Sequence, residues 1–277
     1  MKLPSLYKNL QAAGVVAVLA LGFSSHASAV AVFTVDPNSA FGATGGPHPG
    51  PFQANFVTGS SSTLATLNAG HSTVSATGFV DFTSFVLNGS NVLGTVSGLN
   101  NNWQMWGEFT YTLALASGTY ATPGSTYNVT GLHVNFWVDP SIATATTFTQ
   151  ATNVGVGGTA PVVTHGADSF QFANADLIVG VANINSLGGT GFNSTNSFAL
   201  LNPQGTSLFT APVPFYNFQF DEFNNTSLGV TVSPDHFIVI NQTSGGIDFN
   251  RVPEPATLAL LGIGLLGIGA STRRRKA

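Results

Sequence analysis

Several long stretches of this chain alternate strictly between apolar and polar residues, and this period of two constrains the fold more than any other feature of the sequence. The pattern is clear in "LHVNFWVDP", "EFTYTLALAS" and "FYNFQFDEF". Successive side chains point to opposite sides only in an extended strand, so the alternation predicts long β-strands that bury one face. The predicted apolar faces comprise Leu132, Val134, Phe136 and Val138 in the first stretch, Phe109, Tyr111, Leu113 and Leu115 in the second, and Tyr216, Phe218 and Phe220 in the third.

Clusters of Gly, Asn, Ser and Pro separate these stretches from others of the same kind, such as "STVSATGFVDFTSFVLNGS" and "DHFIVINQ". Many strands bounded in this way are typical of antiparallel β folds. We therefore expect an all-β body, either an antiparallel β-sandwich or a jelly-roll-like fold, with helices only in the two apolar runs at the chain ends. Residues 41–51 are predicted to form a loop, and residues 153–168 either a loop or a boundary between two β halves.

The body of the chain, residues 30–251, carries ten carboxylates and one cation, Arg251, and therefore has a formal charge of −9. This charge excludes a nucleic-acid partner, because binding phosphates requires Lys and Arg side chains. The chain has no Cys, which excludes disulfides and thiolate metal sites. Its surface must consist mainly of Ser, Thr, Asn, Gln and Gly, which hydrogen-bond to sugars and to proteins. Without lysines to protect sheet edges, self-association is an open alternative that the negative charge opposes.

No motif in the body indicates catalysis. "GVGGTA" at 155–160 matches the G-x-G-x-x-A consensus of a dinucleotide-binding loop. Such a loop must be followed by a helix, whereas the "PVV" that follows here favours an extended chain. Asp221 and Glu222 are the only adjacent carboxylates, and neighbours on a strand face opposite sides. The five histidines of the body are scattered along it. We therefore predict that the protein is not an enzyme and has no catalytic residue, metal site or cofactor.

The tryptophans are the strongest candidates for a binding surface. "NNNWQMWGEF" places Trp103 and Trp106 three residues apart beside three asparagines. Aromatic faces flanked by amides are suited to stacking on sugar rings, but large aromatics also fill hydrophobic cores. Trp137 lies on the polar face of its predicted strand. All three are therefore candidate glycan contacts, with a core position as the alternative for Trp103 and Trp106.

The N-terminal segment has the three parts of a secretory signal peptide. Lys2 and Lys8 precede an apolar run at 12–23, which is followed by "ASA". A short basic start, a moderate apolar core and small residues before the cut are the features that a signal peptidase requires. We therefore predict a helical signal peptide over residues 1–29, with Ala27 and Ala29 at the cleavage site. A permanent anchor would need roughly 20 apolar residues, more than this run contains.

The C-terminal tail, "VPEPATLALLGIGLLGIGASTRRRKA", combines a short apolar run with a terminal basic cluster. As a helix, residues 256–270 would span roughly 22 Å, against a hydrocarbon core of about 30 Å. Four glycines weaken this helix further. The positive-inside rule keeps the cluster in the cytoplasm, so the tail is expected to hold the exported body only transiently at the inner membrane. The predicted stop-transfer residues are Arg273, Arg274, Arg275 and Lys276.

This tail resembles the PEP-CTERM sorting signal of Gram-negative bacteria. The resemblance lies in the motif Val252-Pro253-Glu254-Pro255, followed by the apolar helix and the basic cluster. It implies that an exosortase recognises Pro253, Glu254 and Pro255, and that this chain is the substrate of that enzyme. The predicted organisation is therefore a signal peptide (1–29), a β-rich extracellular body (30–251) and a sorting signal (252–277). A plain C-terminal anchor is the alternative.

The body is similar, more loosely, to the flocculation-associated PEP-CTERM proteins. The similar stretches are "VFTVDPNSAF", "YTLALASGTY", "LHVNFWVDPS" and "SFALLNPQGTSLFTAPVPFYNFQFDEFNN". This similarity implies a role in cell aggregation alongside secreted polysaccharide. We therefore expect a structural or adhesive protein of the exopolysaccharide matrix, located at the cell surface or in the matrix. The alternative is a secreted carbohydrate-binding module or glycan-active enzyme.

Overall fold

The computed structural model describes residues 31–68, 73–154, 156–201, 203–223, 230–233 and 237–250. The predicted signal peptide and sorting tail lie outside the described residues, as do His71, His236 and Arg251. The described strands are β1 (Phe33–Val35), β2 (Phe52–Ala54), β3 (Phe56–Leu67), β4 (Thr73–Leu87), β5 (Ser90–Asn91), β6 (Gln104–Ser117), β7 (Thr126–Asp139), β8 (Thr147–Thr149), β9 (Val162–Thr164), β10 (Phe170–Ile184), β11 (Thr190–Asn196), β12 (Ala199–Leu200), β13 (Phe209–Ala211), β14 (Asn217–Phe223), β15 (Val230–Val232) and β16 (Phe237–Asn250). The described helices are α1 (Pro37–Phe41), α2 (Gly94–Ser97) and α3 (Gln204–Leu208).

Eight of these strands form one antiparallel sheet that closes on itself. The order is β3, β4, β6, β7, β10, β11, β14 and β16, and β16 pairs again with β3. The all-β antiparallel body predicted from the sequence is therefore confirmed. Each strand pairs with the next one of the set in chain order, which is a meander. A jelly roll requires Greek-key connections, which this meander lacks; the body is sandwich-like in that opposite inner faces of the sheet pack against each other.

Because the sheet closes on itself, its strand edges are paired even though the described residues include no lysine. An unpaired strand edge is a template for pairing with another chain, and many proteins protect such edges with lysines. Here both sides of each of the eight strands are engaged by a neighbour of the same closed sheet. Pairing therefore protects most of the strand edges in the described body without any cation.

The alternation in the sequence places the apolar faces inside this closed sheet. The inner residues of β6 and β7, such as Phe109 and Phe136, are buried. Aromatic rings meet across the interior: Phe109 lies 5.9 Å from Phe220, and Phe136 lies 5.4 Å from Phe218, between ring centroids. Burying each such side chain stabilises the fold by roughly 1.5–3 kcal/mol. The interior is therefore a packed hydrophobic core.

A small sheet of β13, β1 and β2 covers the end of the closed sheet at which β3, β6 and β14 begin. Its Phe33 lies 4.8 Å from Phe249 and 6.4 Å from Phe85, between ring centroids. Helix α1 follows β1 because Asp36 caps it: the Asp36 carboxylate accepts a hydrogen bond from the backbone N of Ser39 at 3.0 Å. The helices of the body, four or five residues long, were not predicted, because one turn is too short to show a helical period.

Residues 140–154 and 156–169, which we call the covering segment, pack on the outside of the closed sheet. They contain β8 and β9, which pair with each other. Ala151 is buried against Leu64, Phe237 and Val239, and its backbone N donates to the Ser62 hydroxyl at 2.8 Å. The strands before and after this segment, β7 and β10, pair with each other in the closed sheet. The predicted loop at 153–168 is therefore part of an outer layer over a single sheet.

Candidate functional site

The outer faces of β6 and β7 carry three successive cross-strand pairs of polar and aromatic residues. A period of two places alternate residues of each strand on the same side, so these pairs form a continuous strip on the outside of the closed sheet. Glu108 and Asn135 form the middle pair. The three pairs are Trp106 with Trp137, Glu108 with Asn135, and Thr110 with His133.

At one end of this strip, His165 of the covering segment packs against two tryptophans. The indoles of Trp106 and Trp137 are stacked, with ring centroids 6.4 Å apart and planes at 9°. The His165 ring meets both edge-on, at 4.4 Å from Trp137 and 5.3 Å from Trp106. Such edge-to-face contacts are favourable because the positive edge of one ring faces the negative face of the other.

One carboxylate oxygen joins this aromatic cluster to the strip. Glu108 Oε1 lies 2.6 Å from His165 Nε2 and accepts a hydrogen bond from Trp106 Nε1 at 3.0 Å. Two donors on one oxygen fix the orientation of the carboxylate. We call these four residues, Trp106, Glu108, Trp137 and His165, the His–Trp cluster.

The position of His165 depends on a buried aspartate at the end of β7. The carboxylate of Asp139 accepts hydrogen bonds from the backbone N of Ser141 at 3.0 Å and of Thr146 at 3.1 Å. The Thr146 hydroxyl in turn accepts from the backbone N of Gly166 at 3.0 Å. A Cβ at Gly166 would collide with the Asp139 carboxylate, so only glycine fits beside His165. Asp139 is fully buried, and its hydrogen bonds satisfy a charge that would otherwise be costly there.

A polar groove of about 230 Å³ lies beside the His–Trp cluster. One wall is the covering segment at Pro161 and Val163, and the floor is the outer face of β4, β6 and β7. The floor presents hydroxyl, carboxylate, imidazole and amide groups. The polar residues of the floor are Thr77, Glu108, Thr110, His133 and Asn135.

A chain of hydrogen bonds stiffens the side of the groove nearest β10. His133 Nδ1 lies 2.7 Å from Asp176 Oδ1, and His133 Nε2 lies 3.2 Å from Asn135 Oδ1. The same amide oxygen accepts from Gln171 Nε2 at 2.7 Å. Both members of the His133–Asp176 pair are well exposed, so the pair adds little to stability but holds the imidazole in place.

The structure separates the three tryptophans that the sequence proposed as glycan contacts. Trp103 is fully buried, donates from Nε1 to the Ser97 carbonyl at 2.8 Å and packs against Phe41 and Phe85. Trp106 is also fully buried, beneath the covering segment. Neither indole offers a face to a sugar, so the core alternative describes both. Trp137 is partly exposed and remains a candidate contact.

Asp81 is a half-buried residue with one buried carboxylate oxygen, and the sequence patterns did not single it out. It lies on the outer face of β4, paired with Trp106 of β6. Burial raises the pKa of Asp81 to about 6 from an ordinary value of 3.8, because desolvation disfavours the charged form. Its Oδ1 is buried without a hydrogen-bond partner in the described part of the chain. Nothing in its local sequence, "FVDFT", indicates this environment, which comes from the neighbouring strand.

An apolar cavity of about 50 Å³ lies inside the closed sheet, at the end opposite the small sheet, between Tyr111, Tyr127 and Phe192. Tyr120 also borders it, and burial, with a smaller contribution from Tyr127, raises the pKa of the Tyr120 phenol to about 12. The Tyr127 hydroxyl accepts a hydrogen bond from the backbone N of Ala121 at 3.0 Å. These tyrosines therefore belong to the core, with polar ends that tie down the β6–β7 connection.

The other sequence candidates are not brought together. Asp221 and Glu222 occupy successive positions of β14, which alternate between the faces of a sheet, and they pair with Asn193 and Phe192 of β11. The residues after the "GVGGTA" stretch form β9 rather than a helix. Within the ranges that the structure describes, no three His, Asp or Glu side chains are grouped as metal ligands.

Comparison with known proteins identifies the tail. A family model described as the PEP-CTERM protein-sorting motif matches residues 251–275, which confirms the resemblance predicted from the sequence. No curated protein and no solved structure matches the chain. Among the described residues, no helix has the length and apolar character of a membrane span. The apolar runs at 12–23 and 256–270 lie outside the described residues.

Proposed function

We propose that this PEP-CTERM protein is a structural or adhesive component of the exopolysaccharide matrix and promotes cell aggregation. Its sorting motif marks an exosortase-processed secreted or surface protein of a Gram-negative bacterium. The adhesive role goes beyond what the motif implies and rests on the character of the body.

The observation that carries this proposal is a packed, closed sheet whose outer surface is polar, has few charged residues and, within the described residues, carries no Lys or Arg. The interior is filled by aromatic and aliphatic side chains such as Phe109, Phe136 and Phe220, so interactions with other molecules depend on the outer face. That face presents Thr, Ser and Asn side chains in rows along the strands, as on β6 and β7. Neutral donors and acceptors of this kind suit contact with a hydrated polysaccharide.

We also propose that the body is not an enzyme. A glycoside hydrolase generally needs two carboxylates that flank one bond. In the groove, Glu108 is engaged by His165 and Trp106, and nearby Asp176 is engaged by His133. These contacts support a structural role for both carboxylates. Incubating the purified protein with the polysaccharide of the producing strain should therefore release no reducing ends.

In this proposal the tail acts before the body does. The signal peptide directs export, the apolar run and Arg273 to Lys276 hold the chain transiently at the inner membrane, and the exosortase then releases the body. The partners are thus the exosortase during processing and an extracellular polysaccharide afterwards. Self-association of the released bodies at the cell surface is an additional route to aggregation.

The deciding experiment is deletion of the gene in the producing strain, scored for cell aggregation and for retention of polysaccharide by the cells. Deletion should lower both, and the unaltered gene should restore both. A gene whose product lacks Pro253, Glu254 and Pro255 should not restore them, although it makes the same body. Unchanged aggregation in the deletion strain would contradict the matrix role.

A carbohydrate-binding module is the second candidate function, and the groove beside Trp137 favours it. The effect of deleting the gene on cell aggregation distinguishes the two functions. A matrix protein is needed for aggregation, whereas a free binding module can be lost without changing how cells adhere.

A further inference from the structure

We propose that the groove between the covering segment and the outer face of β4, β6 and β7 is a binding site for a neutral, hydroxyl-rich glycan strand. The inference deepens the proposed matrix role and rests on it, because it names the surface that would hold the polysaccharide. Four observations carry it: two free hydroxyls, engaged carboxylates, the absence of a cation and an apolar wall.

The floor of the groove has hydrogen-bonding capacity that the fold does not use. Thr77 and Thr110 are exposed and line the groove, and within the described residues neither hydroxyl makes a hydrogen bond. A hydroxyl donates one hydrogen bond and accepts two. A sugar hydroxyl has the same capacity, so each threonine hydroxyl can either donate a hydrogen bond to it or accept one from it.

The charges of the groove select against ionic sugars. Residues 31–250 contain no Lys or Arg, so a uronate or phosphate group would find no permanent cation. Glu108 already faces His165 at 2.6 Å, and Asp176 faces His133 at 2.7 Å. Both carboxylates are therefore satisfied by histidines and are poor partners for an amino sugar. A neutral glycan requires none of these pairs to break.

The walls of the groove match the two-sided chemistry of a pyranose ring, which has an apolar C–H face and a rim of hydroxyls. Val163 and Pro161 of the covering segment provide an apolar wall, opposite the hydroxyl and amide groups of the floor. The amide oxygen of Asn135 accepts a hydrogen bond from Gln171 Nε2 at 2.7 Å, so this amide is presented in a fixed orientation. A preorganised polar group gains affinity because less entropy is lost on binding.

The test uses the exported and processed protein, purified from the producing cells, in saturation-transfer NMR and calorimetry. The probes are cellohexaose, maltohexaose, the neutral fraction of the strain's own polysaccharide, a hexagalacturonate and a glucosamine hexamer. We expect a neutral probe to bind, and we expect neither the hexagalacturonate nor the glucosamine hexamer to bind. The double variant Thr77→Val, Thr110→Val keeps the shape of the floor but removes both hydroxyls, and should lower the affinity by at least about five-fold. Thr195→Val, on the outer face of β11, is the matched control and should bind as the parent does.

A second variant tests whether the double threonine variant weakens binding only because it disturbs the closed sheet. Val163→Ser makes the apolar wall polar without changing any residue of the closed sheet, and should also weaken binding. Failure of every neutral probe to bind, or preferential binding of the hexagalacturonate, would overturn the proposal, as would full affinity in both groove variants. The outcome is independent of the aggregation assay: binding without an aggregation defect refutes the matrix role, and an aggregation defect without binding refutes the groove.

Discussion

The imidazole of His165 meets the indole of Trp137 edge-on, with ring centroids 4.4 Å apart and planes at 87°. The two residues are far apart in sequence and belong to different layers, the covering segment and the closed sheet. Their contact, together with the hydrogen bond from His165 to Glu108, joins the two layers beside the groove. His165 therefore adds to the contacts, among them those of Ala151 with Ser62 and of Phe148 with Trp106, that hold the covering segment on the closed sheet.

The first prediction concerns that contact. His165→Ala should lower the free energy of unfolding by about 1–2 kcal/mol, because it removes two ring contacts and a hydrogen bond. It should also make tryptophan fluorescence more sensitive to acrylamide, since Trp106 and Trp137 lose their cover. Urea denaturation and quenching measure the two effects. His133→Ala is the control: it also removes a histidine–carboxylate pair, but one that is exposed and without ring contacts, and should cost about 0.5 kcal/mol. Equal effects of the two variants would show that the rings contribute nothing.

The second prediction concerns pH. The pKa of Asp81 is raised to about 6 by burial, so the folded protein binds this proton more tightly than the unfolded chain does. The contribution of Asp81 to stability therefore falls as pH rises from about 4 to about 6 and is lowest above that range. Asp81→Asn removes the buried charge and should raise the free energy of unfolding by roughly 1–2 kcal/mol at pH 8, after solvent screening is allowed for, with little change at pH 4. Urea titrations at both pH values test this. Asp176→Asn, at an exposed site, should give no gain at pH 8.

The third prediction concerns export. The mature protein should begin at Val30, because Ala27 and Ala29 provide the small residues that a signal peptidase requires. Mass spectrometry of the exported protein measures its N-terminus directly. Replacing Ala27 and Ala29 with Phe should leave the precursor uncut, whereas the same change at Ser24 and Ser25 should be tolerated. An exported protein that still begins at Met1 would contradict the prediction.

The fourth prediction concerns the tail. Replacing Pro253, Glu254 and Pro255 with Ala should leave translocation intact but block release, so the variant should accumulate in the inner-membrane fraction with its tail attached. Replacing Arg273, Arg274, Arg275 and Lys276 with Ser should act differently. The short run at 256–270 is only marginally held without its basic cluster, so some chains should escape uncut. Fractionation with mass measurement distinguishes the two results. Equal release of the first variant and the parent would refute processing at this motif.

Local sequence predicted the strands and their buried faces because alternation is a property of consecutive residues. The apolar faces of β6 and β7 are buried where the pattern placed them, as Tyr111 and Val134 show. Closure of the sheet could not be predicted in the same way, because alternation does not specify which strand pairs with which. The pairing of β10 with β11 and of β16 with β3 depends on connections and register that no short stretch encodes.

The site was predictable only in part, for the same reason. Trp137 was placed correctly on a polar face, because its neighbours along β7 alternate. Trp106 also lies on the outer face, yet it is buried, because residues more than forty positions further along the chain pack over it, among them Phe148 and His165. The Gly- and Val-rich sequence of residues 153–168 indicates a loop, but this local sequence does not specify the surface against which the loop packs.

The last strand of the closed sheet ends at Asn250, and the sorting motif begins at Val252. Strand β16 is bonded on one side to β3, from Phe237 to Asp248, and on the other to β14, from Ser244 to Asn250. A pull on the tail along the strand axis therefore loads two hydrogen-bonded ladders in shear at once, instead of opening one ladder bond by bond. If the tail is held in the membrane, as we propose, drag from surrounding polymer would act on the body through this strand. The strand that closes the sheet would then also be the mechanical link between the body and the proposed membrane tether.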